Sequence, residues 1–142
     1  MAVKQAVVKH IKGVTFMGKA DSNHWVSMDG PEEFGGNNAA IRPKELLLLA
    51  LGGCTGSDVA VILKKKKINI DGFDIFLTAE VQETHPQVYT KINVEYVFYG
   101  NEIPSEAVER AIELSQKTYC SVTAMLQKSV EITHSVRIEE AK

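Results

Sequence analysis

The sequence lacks several features that mark whole classes of protein. Cysteine occurs only twice in 142 residues, which excludes a fold built on a framework of disulfides. The net charge of −2 gives no positive excess, so nothing favours nucleic acid or an anionic membrane surface as a partner. There is no internal repeat, low-complexity linker or Cys-x-x-Cys motif. With 44% hydrophobic and 24% charged residues, the composition is that of an ordinary soluble globular protein.

Long apolar runs are also missing. The longest, residues 46–51, is far shorter than the roughly 20 residues of a membrane-spanning helix. The N-terminal residues lack the apolar core of a secretory signal. We therefore expect a cytoplasmic protein with no membrane partner. In that reducing compartment a disulfide is more often transient and catalytic than structural.

What the sequence does contain is a cysteine at the end of an apolar helical run. The run begins after Pro43, passes through residues 46–51 and reaches two glycines directly before Cys54. Arg42 marks its start. Thiol chemistry needs a stabilised thiolate, which an arginine can provide, whereas burial among leucines alone raises the pKa of a thiol. The second cysteine, Cys120, follows 66 positions later, and two cysteines in such defined settings suggest a working pair.

The pattern of elements predicts a single α+β domain over residues 1–142. The predicted strands cover residues 3–11, 14–19, 24–28, 73–83, 88–99 and 130–138, and the predicted helices cover residues 44–67, 105–118 and 122–127. This order gives a mainly antiparallel sheet and one long central helix. Residues 46–51 are apolar on every side, so the first half of the long helix is expected to be buried all round. Three glycines around Cys54 are expected to make space for a close neighbour. In the helix over residues 105–118, the period places Ser115 and the following Tyr119 on the inner face.

Two separated motifs resemble those of one known family. The first is Arg42-Pro43-x-Glu45-Leu46-Leu47 followed by Gly52-Gly53-Cys54-Thr55-Gly56-x-Asp58-Val59, and the second is Leu114-Ser115 followed by Tyr119-Cys120-Ser121-Val122. They are similar to the motifs of the OsmC/Ohr family, the osmotically inducible and organic-hydroperoxide-resistance proteins, in its OsmC-like branch. The resemblance implies an intertwined homodimer with two long central helices and two active sites at the interface.

The resemblance also implies a chemistry. The Cys54 thiolate attacks an organic hydroperoxide and becomes a sulfenic acid, and Cys120 then forms a disulfide that an external thiol reductant reopens. Such a thiol-dependent peroxide reductase needs no cofactor and no metal, and the four histidines show no metal-ligand spacing. Arg42 is the candidate that stabilises the thiolate, and Glu45 is the candidate that orients Arg42 through a bidentate pair.

Each assignment has a plainer alternative. The cysteines could be small core hydrophobes, Arg42 a surface cation and Glu45 a first-turn acid favoured by the helix dipole. The best-characterised family members carry their acid directly after the proline and an arginine in the N-terminal strands, whereas here Lys44 takes the place after the proline and Arg42 is the first arginine. The alternative function is a non-catalytic domain that binds a small apolar ligand or senses redox state. Residues 44–67 could also form two joined helices, and Asp58 is interpreted as the cap of the second helical segment after the glycines or as the partner of a cation, without a catalytic role.

We expect a homodimer as the smallest folded unit. Twelve positions separate Arg42 from Cys54, roughly 18 Å of helix at 1.5 Å per residue, so a straight helix keeps the two apart within one chain. Two such helices packed antiparallel across a two-fold axis bring them together and also cover the apolar residues 46–51. Analytical ultracentrifugation at micromolar concentration should therefore give the mass of a dimer, and a stable, folded monomer would contradict the expectation.

Overall fold

Three antiparallel strands fill the N-terminal part of the computed structural model, which describes residues 1–140. Strand β1 (Ala6–Lys12) pairs with β2 (Thr15–Ala20), and β2 pairs with β3 (Trp25–Met28). All three lie within three residues of the predicted bounds. They belong to the first of two compact units into which the chain divides, Met1–Leu48 and Leu49–Lys142. The single domain over the whole chain stays a prediction.

A buried carboxylate organises the loop after β3. Asp29 is 1% exposed. Its side chain accepts hydrogen bonds from the backbone N–H groups of Gly30, Asn37 and Ala39 and from the hydroxyl of Thr15, at distances between 2.8 and 3.1 Å. Burial alone would raise the pKa of Asp29, but these four donors bring it below its ordinary value. The glycine- and asparagine-rich loop is thus wrapped around one side chain.

The second unit holds a three-stranded sheet with a central strand. Strands β4 (Gly72–Val81) and β5 (Tyr89–Tyr99) form an antiparallel hairpin, and β6 (Glu131–Glu139) pairs with β5 in parallel. The strand order β4-β5-β6 places β5 in the middle. A parallel pair cannot be joined by a tight turn and needs a crossover connection. Helix α2 (Ser105–Leu114), a π-helical turn (Ser115–Tyr119) and helix α3 (Ser121–Leu126) form that crossover.

The long helix α1 runs unbroken over Pro43–Lys65 and contributes its C-terminal part to the core of the second unit. The largest group of buried residues lies on β5, and most of them alternate along the strand, as in a strand with one face against the core. The buried apolar side chains of these elements are Leu51, Val59 and Leu63 of α1, Tyr89, Ile92, Val94, Tyr96, Val97 and Phe98 of β5, and Val108, Ala111 and Ile112 of α2.

The expected burial of residues 46–51 on every side is wrong for the single chain. Leu51 is 0% exposed, but Leu47 is 45% and Leu49 is 57% exposed. By length and composition alone, α1 is also apolar enough to cross a membrane, with a mean hydropathy of 2.0 over an 18-residue window, even though residues 46–51 are too short to do so. Core helices of soluble proteins can have the same length and apolar composition. In the second unit α1 buries Leu51, Val59 and Leu63. The predicted homodimer would cover the exposed leucines.

Two glycines of α1 allow β4 to approach the helix closely. A Cβ atom at Gly52 would lie 2.9 Å from Leu77 Cδ1, and one at Gly56 would lie 3.0 Å from Ile75 Cδ1. At Gly53, apart from the adjoining residues and the helix's own backbone, no atom of the described chain lies within 4 Å of the same position. The expectation that glycines make room beside the cysteine is therefore met at Gly52 and Gly56, and the close neighbour is β4.

Alanine substitutions at these glycines should have opposite effects on stability. Gly53→Ala should raise the free energy of unfolding by up to about 1 kcal/mol, because alanine is the better helix former. Gly52→Ala should lower it by about 1 kcal/mol, because overpacking against Leu77 costs about 1–3 kcal/mol and exceeds that gain. Urea unfolding monitored by circular dichroism measures both. Equal free energies of unfolding for the two variants would mean that Leu77 moves aside at no cost.

Candidate active site

One turn of α1 places a thiol and a carboxylate on the same face of the helix. Cys54 and Asp58 are four residues apart, the spacing at which helical side chains become neighbours, and both are half-buried. The second cysteine joins them from the crossover. The sulfurs of Cys54 and Cys120 and a carboxylate oxygen of Asp58 all lie within 4.8 Å of one another. A disulfide joins its sulfurs at about 2.05 Å, so a movement of less than ~3 Å would form the bond.

The π-helical turn brings Cys120 to this position. The backbone N–H of Cys120 donates to the carbonyl oxygen of Ser115, five residues earlier, at 2.7 Å. A π turn holds one residue more than an α turn and often occurs at functional sites. Tyr119 is consequently 59% exposed and Cys120 only 3% exposed. The sequence prediction of a regular helix to residue 118 with Tyr119 inside was wrong here, because it assumed an unchanged helical period.

Cys120 lies at the N-terminus of α3 as its capping residue. Its Sγ accepts the backbone N–H of Thr123 at 3.3 Å. Burial raises the pKa of the Cys120 thiol, and the neighbouring sulfur of Cys54 raises it further, which outweighs the donors of Thr123. Cys120 therefore keeps its proton more firmly than an ordinary cysteine.

The pKa of the Cys54 thiol is shifted in the opposite direction, below its ordinary value. Burial raises the pKa of its thiol, but hydrogen bonds from the Val122 backbone N–H, the Cys120 thiol and the Ser121 hydroxyl outweigh burial and lower the pKa below its ordinary value. The Ser121 Oγ lies 3.9 Å from Cys54 Sγ. The negative charge of Asp58 acts in the other direction. The pair is therefore unequal, with Cys54 as the thiol that ionises more readily and Cys120 as a hydrogen-bond donor to it.

A buried hydrogen-bond network ends at Asp58. Ser115 Oγ donates to Asp58 Oδ2 at 2.9 Å, and Thr55 Oγ1 lies 2.8 Å from Ser115 Oγ. The Tyr96 hydroxyl lies 2.6 Å from Thr55 Oγ1 and accepts the Gln116 amide at 2.7 Å. Asp58 is thus a hydrogen-bond acceptor, and its interpretation as a helix cap was wrong because α1 has no second start to cap. The four-residue spacing from Cys54 was the sequence signal for its place in the cluster.

Two thiols and a carboxylate are also a donor set that zinc accepts. In this chain each of the three groups already has a protein donor. Val122 and Ser121 donate hydrogen bonds to Cys54, Thr123 donates one to Cys120, and Ser115 donates one to Asp58.

Arg42 and Glu45, the other predicted site residues, belong to the first unit. The Arg42 guanidinium donates to the Asn38 side-chain oxygen at 2.7 Å and to the Ala40 carbonyl at 3.1 Å. The Glu45 carboxylate accepts the backbone N–H of Arg42 at 2.9 Å. That geometry is typical of a first-turn acid reaching back to the residue before its helix, which is the plainer alternative for Glu45. Their catalytic roles stay predictions.

A cavity of about 450 Å³ borders the cluster through Asp58. Its volume falls in the range of small-molecule sites. Apolar side chains of α1 and the crossover supply much of the wall, and the residues around it are Ser57, Asp58, Val61, Ile62, Lys65, Lys66, Leu114 and Tyr119. An organic molecule could therefore lie beside the thiol pair with part of its surface out of water.

The α+β fold with one cysteine on a long helix and another on the crossover defines the OsmC/Ohr class of proteins, and comparison with known sequences agrees. The family described as OsmC-like protein matches residues 35–135, and the chain belongs to that family. It is 39% identical over 137 residues to the protein YhfA of Escherichia coli K12, covering 96% of this chain and 99% of YhfA.

Solved structures show the same fold. A hypothetical protein from Aquifex aeolicus VF5 is 32% identical, with a TM-score of 0.86 and complete coverage of both chains. An organic hydroperoxide resistance protein from Elizabethkingia anophelis is 16% identical, with a TM-score of 0.71 and coverage of 96% of each chain. At that identity the second likeness shows the fold alone.

The unequal pair should be visible in alkylation rates. Because three donors stabilise its thiolate, Cys54 should react with iodoacetamide with a pH midpoint below that of free cysteine, about 8.5. The measurement uses Cys120→Ser, which leaves one thiol and keeps a hydroxyl donor beside it. Ser121→Ala in the same background should move the midpoint upward. A Cys54 midpoint at or above that of free cysteine would contradict the assignment.

Proposed function

We propose that this protein is a thiol-dependent organic hydroperoxide reductase in which Cys54 is oxidised and Cys120 resolves the oxidised form. The observation that carries the proposal is the approach of the two sulfurs to within 4.8 Å, combined with pKa values displaced in opposite directions. Membership of the OsmC-like family and the fold shared with hydroperoxide resistance proteins support it. We place the activity in the cytoplasm and in a homodimer.

The proposed cycle has three steps. The Cys54 thiolate attacks the outer oxygen of the hydroperoxide, the O–O bond breaks, and the alkoxide takes a proton and leaves as an alcohol. The Cys120 sulfur then attacks the Cys54 sulfenic acid, and the hydroxyl group leaves as water. An external thiol reductant restores both thiols by exchange. The cavity beside Asp58 supports a preference for organic hydroperoxides over hydrogen peroxide, because its apolar wall favours an organic group.

The guanidinium of Arg42 completes the proposed site in the dimer. An arginine donates two hydrogen bonds at once, so it can hold the thiolate and the peroxide oxygen together, while Glu45 fixes the start of the helix by accepting the backbone N–H of Arg42. The antiparallel pairing of two long helices expected from the sequence would supply both residues from the partner subunit.

The same cavity supports a second candidate function, namely non-catalytic binding of a small apolar ligand or redox sensing. The two functions differ in turnover. A reductase consumes many equivalents of hydroperoxide per protein when an external thiol is present, whereas a sensor is oxidised once and a binding protein is not oxidised at all.

Cysteine variants test the reductase directly. In stopped-flow mixing with an alkyl hydroperoxide, Cys54→Ser should not react, because the attacking thiolate is gone. Cys120→Ser should undergo one oxidation and then accumulate a sulfenic acid that a dimedone probe traps. Arg42→Ala should slow the first oxidation without changing the circular dichroism spectrum. Hydrogen peroxide should oxidise the wild-type protein more slowly than the alkyl hydroperoxide.

The result that contradicts the proposal is equally clear. If both cysteine variants consume hydroperoxide at the wild-type rate, the chemistry lies elsewhere. If the wild-type protein is not oxidised at all, the ligand-binding function replaces the reductase.

A further inference from the structure

The hydrogen bonds of the buried network that ends at Asp58 all donate their protons toward this carboxylate. Each hydroxyl group carries a single proton. Ser115 gives its proton to Asp58, so the bond between Ser115 and Thr55 takes its proton from Thr55. Thr55 therefore accepts from Tyr96, and Tyr96 accepts from the Gln116 amide. Four hydrogen bonds in sequence thus point their protons toward the Asp58 carboxylate, with Thr55, Tyr96 and Ser115 all 0% exposed.

Such a network fixes the position of the carboxylate and leaves it able to accept more. The Ser115 bond occupies only Oδ2, and a carboxylate has about four acceptor positions on its two oxygens. The residues of this network belong to α1, β5 and the π-helical turn, so three elements of the second unit hold Asp58 in place.

The second step of the proposed cycle has a proton to remove. In the reduced protein the Cys120 thiol lies beside Cys54, and its proton favours the Cys54 thiolate. Once Cys54 carries a sulfenic acid, that sulfur is no longer an anion. Cys120 is 3% exposed, so bulk water has little access to its proton. Asp58 has a carboxylate oxygen within 4.8 Å of both sulfurs.

We propose that Asp58 is the general base of disulfide formation, accepting the proton of Cys120 while the Cys120 sulfur bonds to Cys54. This inference rests on the cysteine roles proposed above. The bond that forms is S–S, and the bond that breaks is the S–O bond of the sulfenic acid. The proton moves from Cys120 to Asp58 and is passed to the departing hydroxide, which leaves as water. Hydrogen bonds of catalytic bases are often long before reaction and tighten during it, which is consistent with a distance of up to 4.8 Å.

The charge of Asp58 makes the two steps respond in opposite ways. Its carboxylate works against ionisation of Cys54, so it slows the first step. As a base it speeds the second step. Removing the charge should therefore accelerate attack by Cys54 and slow attack by Cys120. A purely structural side chain would slow both steps when removed.

The aromatic disulfide dithiobis(nitrobenzoate) tests this without any peroxide. The Cys54 thiolate attacks it and releases one coloured thionitrobenzoate, leaving a mixed disulfide on Cys54. Cys120 then loses its proton, bonds to Cys54 and displaces the second thionitrobenzoate. In Asp58→Asn the first release should be as fast as in the wild type or faster. The second should be about 100-fold slower, at the lower end of what a general base contributes.

A matched variant removes the same charge elsewhere. Asp71→Asn changes an exposed aspartate of the second unit and should leave both releases unchanged. Equal second-phase rates in Asp58→Asn and the wild type would overturn the role of Asp58. Failure of the protein to reduce hydroperoxides, with the two-phase release intact, would overturn the proposed function alone.

The wild-type protein supplies a second measurement that needs no variant. With Asp58 as the base, the rate of the second release should be constant across neutral pH. With hydroxide as the base, it should rise about tenfold per pH unit below the pKa of the thiol. The other titratable groups near Asp58 are Tyr96 of β5, Tyr119 of the π-helical turn, and Lys65 and Lys66 of α1. A tenfold rise per pH unit would overturn the proposal.

Discussion

One hydrogen bond, from the Cys120 backbone N–H to the Ser115 carbonyl oxygen, governs the arrangement of the site. It closes the π-helical turn at 2.7 Å. With a regular α turn, the residues after Ser115 would be rotated by about 100° from their present positions. Cys120 would then leave the neighbourhood of Cys54, and the N–H of Val122 and the hydroxyl of Ser121 would leave with it. The turn thus positions the second thiol, while the helical period of α2 places the Ser115 side chain against Asp58.

The sequence predicted most of the fold because its elements carry strong local signals. The alternation in β4 and β5, the proline at the start of α1 and the three N-terminal strands all gave bounds close to those observed. The parallel pairing of β6 with β5 was not predicted, because pairing direction depends on the path of the crossover and leaves no local pattern. The single chain leaves Leu47 and Leu49 exposed, so full burial of residues 46–51 depends on the predicted dimer, because a helix that is apolar all round does not reveal whether its own chain or another covers it.

The candidate site, too, was predictable only in part. The approach of Cys54 to Cys120 followed from reading the two cysteines as a pair, and the structure places their sulfurs together. The donors that favour the Cys54 thiolate escaped prediction, since they come from the backbone of Val122 and from the chain's return after the π-helical turn. Backbone donors have no residue identity, so a sequence cannot display them. The helical period correctly placed Ser115 on the inner face of its helix. Its hydrogen bonds with Thr55 and the further bond to Tyr96 were not predicted, because such a network depends on three elements meeting at hydrogen-bond distance.

The parallel pairing of β5 and β6 has a consequence for the newly made chain. The crossover that carries Cys120 is anchored at one end by β5 and at the other by β6, which follows it in the chain. Until β6 docks, the segment with Cys120 is attached on one side only, and a long-range contact of this kind forms late. Cys54 is synthesised much earlier than its partner. The oriented thiol pair is therefore complete only after β6 has been made and has docked, which links redox competence to a late step of folding.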